Sequence, residues 1–110
     1  MRKTTSLSRI PVPAGHIRWE CDEEDRVSLF VENSGWANRL AQRFMGRPRW
    51  SRVELDALGS FVWRQMDGEC TVQRLGELVE VDFGEAAHPL YERLWVYLQR
   101  LHSYGFIRWA

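Results

Sequence analysis

Residues 55–84 read LDALGSFVWRQMDGECTVQRLGELVEVDFG, and this stretch decides the fold because it carries two sets of helix boundary signals. Asp56 and Thr71 are residue types that cap helix N-termini, and each precedes apolar residues at helical spacing. Gly68 and Gly84 follow the last apolar residues of the two patterns, at positions where glycine commonly ends a helix. The stretch therefore predicts two helices with a very short connection between them.

A third helical pattern begins at about residue 86 and ends at Gly105, with the apolar residues Leu90, Leu94, Tyr97, Leu98 and Leu101. Residues 106–109 have the composition of a closing strand. Three closely spaced helices followed by a β segment predict a winged-helix-like module. Modules of this kind serve as binding scaffolds more often than as catalysts.

Three strands are predicted before these helices. Apolar and polar residues alternate over 17–21 and again over 27–31, and the acidic turn between them predicts a hairpin. Residues 50–55 predict a third strand, which carries Ser51, Val53 and Leu55 on one face and Trp50, Arg52 and Glu54 on the other. The predicted fold class is α+β, with an N-terminal three-stranded antiparallel sheet and a three-helix core.

A short amphipathic helix is predicted over residues 36–45, because Trp36, Leu40 and Phe44 recur at every fourth position. Five arginines lie between residues 36 and 52. This arginine-rich segment could lie on an anionic membrane or grip an acidic peptide, or it could be a docked surface helix with solvated charges.

The length and composition are those of one globular domain, with 110 residues, 45% of them hydrophobic and 27% charged. We interpret residues 1–15, which contain two prolines, as a flexible N-terminal arm and residues 16–110 as a single domain. The formal net charge is zero, so composition gives no case for a nucleic-acid binder.

Cysteine content and hydropathy predict a cytoplasmic protein. The two cysteines, Cys21 and Cys70, do not form a disulfide framework or a zinc-site pattern. The N-terminus lacks the apolar region of a signal peptide, and no stretch approaches the roughly 20 apolar residues of a membrane span.

No catalytic constellation is found in the sequence. The three histidines are scattered without metal-ligand spacing, and no phosphate-binding loop, dinucleotide fingerprint or nucleophile elbow is present. Ser60 lies within a helical pattern, where we expect it to pack, and Cys70 is expected to be a structural thiol. The sequence predicts no catalytic residue, no metal and no cofactor.

Two further features could carry binding. The strand over residues 50–55 would offer backbone groups to an extended peptide if it lies at a sheet edge, whereas internal pairing on both sides would leave it closed. On the long helix, Tyr91, Trp95 and His102 form a stripe bordered by Leu98. This stripe could line a groove beside the edge strand or widen the core contact.

Gly59 and Gly76 interrupt helical patterns, at a cost of roughly 1 kcal/mol each relative to alanine. A helix retains glycine most readily where another backbone comes close. We therefore expect the first two core helices to cross near these residues.

Several of these residues, taken in order, resemble the PqqD-like family. The matching stretches are LDALGSFVW over 55–63, MDG over 66–68, the pair Thr71-Val72, and LHSYGFI over 101–107. The resemblance covers roughly residues 17–108, and the ordered set is more specific than any one of its motifs. The predicted helix over 36–45 departs from the minimal family pattern and is similar to a stand-alone subgroup with such an insertion.

The resemblance implies a recognition element that binds the leader segment of a ribosomally made precursor peptide. In the members it resembles, the leader adds as a strand to the third β-strand, lies against the third helix, and is presented to a modifying enzyme, often a radical S-adenosylmethionine enzyme. The peptide-binding residues that this implies here are Trp50, Arg52, Val53, Glu54, Leu55, Tyr91, Trp95, Leu98 and His102.

Two other classes of function stay open on the sequence. One is a winged-helix nucleic-acid binder, although the third helix carries few basic residues. The other is a structural protein that forms oligomers, for example a homodimer, through its surplus tryptophans and the helix over 36–45.

Overall fold

A computed structural model of the chain describes residues 6–32 and 50–110. Its elements, in chain order, are β1 (Pro11–Pro13), β2 (Arg18–Cys21), β3 (Val27–Glu32), β4 (Trp50–Glu54), α1 (Ala57–Gln65), α2 (Val72–Phe83), a 3-10 helix (Gly84–Ala87), α3 (Leu90–Ser103) and β5 (Ile107–Trp109). The predicted α+β class, the three-stranded antiparallel sheet and the three helices are confirmed. The predicted helix over 36–45 lies outside the described residues, and the winged-helix assignment stays a prediction.

The three-stranded sheet has the order β2-β3-β4, with both neighbouring pairs antiparallel. Leu29 in the central strand lies opposite Trp19 of β2 and Val53 of β4. Leu29 is fully buried, because the inner face of the sheet packs against α1. Along β4 exposed and half-buried residues alternate, as the sequence pattern predicts for this strand.

The buried hydroxyl of Ser60 joins α1 to both β3 and β4. Its Oγ accepts a hydrogen bond from the backbone N–H of Val27 at 2.9 Å and donates one to the backbone oxygen of Leu55 at 3.2 Å. The N–H of Leu55 donates to the oxygen of Val27 at 2.9 Å, so the hydroxyl replaces the second bond of this antiparallel pair. Ser60 therefore packs inside the fold, as the sequence predicts.

Both predicted helix starts are confirmed by side-chain caps. A carboxylate oxygen of Asp56 accepts the N–H of Gly59 at 2.7 Å, and the hydroxyl of Thr71 accepts the N–H of Arg74 at 3.1 Å. The turn from α3 into β5 occurs at Gly105, whose φ of 78° suits glycine better than any residue with a side chain. These local signals determine where the helices begin and where the chain turns from α3 into β5.

The helices pack in sequence, with α2 against α1 and α3 against α2. Trp63 of α1 is 1% exposed and meets the ring of Trp19 edge-on, with the ring centroids 6.4 Å apart. Leu75 of α2 and Leu98 of α3 are fully buried beside it in one hydrophobic core. The core therefore lies between the inner face of the sheet and the three helices.

A second sheet, not predicted from the sequence, pairs β1 with β5 in antiparallel fashion. Two backbone bonds flank it, from Ala14 N–H to the oxygen of Phe106 at 2.9 Å and from Ala110 N–H to the oxygen of Ile10 at 2.8 Å. Pro11 is among the fully buried side chains. The sequence predicts a flexible arm over residues 1–15, but the part over 11–13 is a strand held by β5. The domain boundary at residue 16 stays a prediction.

Gly59 and Gly76 make room for tyrosines of α3, which corrects the expectation that α1 and α2 cross at these residues. A Cβ built on Gly59 would lie 2.7 Å from the Oη of Tyr97, and one built on Gly76 would overlap the ring of Tyr91. Periodicity identifies a helix face that needs space, but it does not show which neighbour fills that space.

Replacing Ser60 by alanine is predicted to destabilise the fold by about 1–3 kcal/mol, because the N–H of Val27 and the oxygen of Leu55 would lose their buried partner. Urea unfolding of the Ser60→Ala chain measures this change. Ser103→Ala is the matched control, since the Ser103 hydroxyl donates to the backbone oxygen of Arg100 at an exposed site. Equal losses of stability in the two variants would contradict the bridging role.

Gly59→Ala is predicted to cost about 1–3 kcal/mol of stability through overlap with Tyr97, partly offset by the roughly 1 kcal/mol of helix propensity gained. The cost should fall in a Tyr97→Phe background, where the overlapping oxygen is gone. A four-chain cycle of urea unfolding measures this coupling. If the two substitutions changed the free energy of unfolding additively, the result would contradict the idea that Gly59 makes room for Tyr97.

Candidate functional site

The outer edge of β4 presents backbone hydrogen-bonding groups at alternate residues. The Val27–Leu55 bond fixes the phase of the β3–β4 ladder, because bonded and non-bonded pairs alternate along antiparallel strands. Trp50, Arg52 and Glu54 therefore direct their N–H and C=O groups away from β3. Within residues 6–32 and 50–110, no strand pairs with β4 on that side. The expectation of an edge strand thus holds for the described part of the chain.

Charged and aromatic side chains cover the exposed face of β4. Arg52 donates from Nε to the Oγ of Ser28 at 3.2 Å and lies 3.3 Å from a carboxylate oxygen of Glu54. The guanidinium of Arg18 lies over the ring of Trp50, at 5.7 Å from its centroid. These contacts hold the side chains on the face of the sheet. The backbone N–H and C=O groups at the edge of the sheet are therefore not covered by them.

Three predicted site residues point into the core instead. Leu55 is 8% exposed and Leu98 is fully buried, while Val53 is partly buried against the same core cluster. Their side chains pack in or against the hydrophobic core. Leu55 and Leu98 are too buried for a guest at the edge of β4 to contact their side chains directly.

The predicted stripe on α3 contacts other elements than β4. The hydroxyl of Tyr91 donates to the backbone oxygen of Gln73 in α2 at 3.1 Å. The rings of Trp95 and His102 lie 5.5 Å and 6.1 Å from the ring of Trp109 in β5. These contacts do not support the prediction that the stripe lines a groove beside β4.

Tyr97 occupies the flank of α3 that contacts the first turn of α1. Its hydroxyl donates to the backbone oxygen of Gly59 at 3.3 Å, in the first turn of α1, which follows β4 directly. A surface hollow of about 360 Å³ lies on this flank and is lined by Pro89, Glu92, Arg93, Val96, Tyr97 and Arg100. The sequence pattern places Tyr97 in the core and does not single out Arg93, Val96 or Arg100. Their recurrence every three or four residues was the available signal.

The phenol of Tyr97 stays protonated well into the alkaline range. Burial raises its pKa far above the ordinary value of 10.0, and the nearby carboxylate of Asp56 raises it further. The hydroxyl is therefore a lasting hydrogen-bond donor to Gly59, and it links α3 to the start of α1.

Cys70 does not have the environment of a reactive thiol. Burial raises its pKa, and the carboxylate of Asp67 adds to this, against an opposing effect of Arg74. A raised pKa lowers the thiolate fraction at neutral pH, and the thiolate is the nucleophilic form. The expectation of a structural thiol at Cys70 is supported.

Two of the described histidines, His88 and His102, are engaged separately. His88 Nε2 lies 2.6 Å from a carboxylate oxygen of Glu80, and His102 lies beside Trp109. In the described ranges, no group of three or more histidine, cysteine or acidic residues could hold a metal ion. None of the helices there has the length and apolar character needed to cross a bilayer.

The stability of the folded chain is predicted to fall as pH rises above 10.0, the ordinary pKa of tyrosine. A phenol whose pKa is higher in the folded state contributes stability that is complete below the unfolded pKa and is lost above it. Tyr97→Phe should flatten this alkaline decline, measured by urea unfolding at a series of pH values. Tyr104→Phe, which removes an exposed hydroxyl, is the matched control. An unchanged decline in Tyr97→Phe would contradict the assignment.

Comparison with known proteins adds a family to this geometry. The profile of the family described as Coenzyme PQQ synthesis protein D (PqqD) matches residues 37–107. No curated protein and no solved structure is significantly similar to the chain. The matched residues are more than half of the chain and include β4 and all three α-helices. The resemblance seen in the sequence is confirmed, and the chain belongs to the PqqD family.

Proposed function

We propose that this chain is a non-catalytic accessory protein that binds a precursor peptide and presents it to a peptide-modifying enzyme. Membership of the PqqD family supports a role in biosynthesis beside such an enzyme. The single observation that carries the peptide-binding role is the row of outward backbone groups at Trp50, Arg52 and Glu54 on a sheet edge. An extended peptide pairs with such a row by strand addition, whatever its sequence.

Selectivity for one peptide would come from the side chains around the edge. β4 is five residues long, so a guest of matching length would lie beside the exposed ring of Trp50 and the Arg52–Glu54 pair. Side chains of the guest that alternate between the two faces of the sheet would meet these groups at every second position.

The hollow at Tyr97 provides a second wall. It is bounded by Tyr97, whose hydroxyl bonds to Gly59 of α1, and it combines the exposed Val96 with the guanidinium groups of Arg93 and Arg100. We propose that the segment of the guest beyond its β-strand lies here, with an apolar side chain on Val96 and an acidic group near the two arginines. This replaces Tyr91, Trp95 and His102 as the helix residues of the peptide site.

β2 is the other edge of the same sheet and could compete for a guest strand. The bond from Asp22 N–H to the oxygen of Arg26 fixes its phase, so the backbone groups of Trp19 and Cys21 face outward. We favour β4 because the hollow at Tyr97 adjoins the start of α1, which follows β4 directly.

The proposed setting is the cytoplasm, with a radical S-adenosylmethionine enzyme or another peptide-modifying enzyme as the partner. Cys21 and Cys70 are both free thiols, which suits a reducing compartment. The assignment to a stand-alone subgroup, and a homodimer, stay predictions from the sequence.

Arg52→Pro tests strand addition directly. The N–H of Arg52 points away from β3, so proline at this position removes an outward donor and leaves the β3–β4 ladder intact. We expect the affinity for a leader peptide to fall at least about tenfold, through the lost bond and the bulk of the proline ring. The probes are synthetic peptides that represent any short reading frame found next to the gene, with binding measured by fluorescence anisotropy.

Arg52→Ala is the matched control, because it removes the same side chain and keeps the N–H; its affinity should stay much closer to that of the parent chain. Hydrogen exchange locates the guest, with added protection expected at the amides of Trp50, Arg52 and Glu54. Equal binding by the proline and alanine variants, or protection at Trp19 and Cys21 instead, would contradict the proposal.

A further inference from the structure

A groove of about 900 Å³ lies on the opposite flank of α3 from the hollow at Tyr97. We call it the interhelical groove: its walls are α2, the first turns of α3, and the N-terminal residues Ser6 and Leu7. Val72, Leu90, Tyr91 and Trp95 contribute its apolar and aromatic lining. Its volume is in the range that is typical of ligand-binding pockets in proteins.

The floor of the interhelical groove exists because residue 76 is glycine. The ring of Tyr91 lies against the backbone of α2 at Gly76, where any Cβ would overlap it, and its hydroxyl donates to Gln73 O. The ring is thereby held against α2, with 37% of the residue still exposed. An aromatic face held in this way is a ready surface for a cation or an apolar group.

Carboxylates surround this aromatic floor. Glu77, Glu80 and Glu92 line the groove, with the imidazole of His88 beside Glu80 and the guanidinium of Arg74 3.3 Å from one oxygen of Glu77. Burial raises the pKa of the Tyr91 phenol, and the nearby carboxylates of Glu77 and Glu80 raise it further. The groove therefore combines an apolar and aromatic interior with a negative rim.

The chain already uses the adjoining aromatic row to hold a guanidinium group. Arg9 lies over the ring of Trp109, 4.3 Å from its centroid, and Trp109 lies 5.5 Å from Trp95. Trp95 itself lines the groove, so Trp109 and Trp95 form a row of rings that extends from Arg9 into the groove. The carboxylates line the same groove. Aromatic faces beside carboxylates select arginine, which stacks on rings and forms charge-assisted hydrogen bonds at its edge.

We propose that the interhelical groove binds a segment of a partner protein in which an arginine is flanked by apolar side chains. The guanidinium lies on Tyr91 and Trp95 and pairs with Glu77, while the apolar neighbours fill the space lined by Leu7, Val72 and Leu90. This site lies apart from the β4 edge, and it shares Pro89 and Glu92 with the hollow at Tyr97. It does not depend on the identity of the peptide at β4.

A charge-reversal pair of variants tests the groove. The probe is a fluorescein-labelled amphipathic peptide of about four helical turns, with leucines on one face and arginines beside them. We expect micromolar binding by the parent chain and at least about tenfold weaker binding by Glu77→Lys. Glu85→Lys makes the same charge change at an exposed carboxylate outside the groove and should alter the affinity less than about twofold. Circular dichroism confirms that both variants are folded.

Two further measurements distinguish binding in the interhelical groove from binding elsewhere on the surface. Amide and indole NMR shifts should change at Gly76, Tyr91 and Trp95 when the peptide is added, and not at Trp50 or Arg52. A second peptide with serine in place of leucine should bind much more weakly, since the proposal requires both apolar burial and charge. Equal loss of binding in the two charge-reversal variants, shifts confined to β4, or no binding at all would overturn the proposal.

Discussion

The arrangement of this fold depends on the two hydrogen bonds that the Ser60 hydroxyl forms with the backbone. The hydroxyl occupies the last rung between β3 and β4, so a side chain of α1 completes the sheet. The next residue back, Gly59, offers its oxygen to Tyr97 and thereby ties α3 to the same turn. Sheet, first helix and third helix thus meet within two consecutive residues. The direction of the outward groups on β4 is set at this point, because the rung fixes the phase of the ladder.

Helix α3 separates two surfaces of different chemistry. Leu94, Leu98 and Leu101 form its buried seam, with the Tyr97 flank on one side and the Tyr91–Trp95 flank on the other. Arg93 and Arg100 line the hollow on the first flank, and Glu77 and Glu80 line the groove on the second. The two sites meet at Pro89 and Glu92, which line both.

Local signals in the sequence were sufficient to predict β2 to β5 and the three α-helices. The caps at Asp56 and Thr71, the turn glycine at Gly105 and the alternation along residues 50–55 each depend on near neighbours in the chain, so they could be interpreted without a structure. The same holds for the choice of Ser60 as a packed rather than a reactive residue.

Long-range relations could not be predicted in this way. The stripe of Tyr91, Trp95 and His102 is a real helix face, but periodicity does not show that it turns toward β5 instead of β4. The partners of Gly59 and Gly76 lie on α3, far along the chain, for the same reason. β1 was missed because proline is a poor indicator of a strand.

The prolines of β1 also have a consequence for how the molecule behaves among copies of itself. The bonds at Ala14 and Ala110 fix the phase of the β1–β5 pair, so the nitrogens of Pro11 and Pro13 lie on the margin away from β5. Those nitrogens carry no hydrogen, which makes this margin a poor template for stacking another chain. The β1 margin of the small sheet is therefore a poor site for pairing with a strand of another copy.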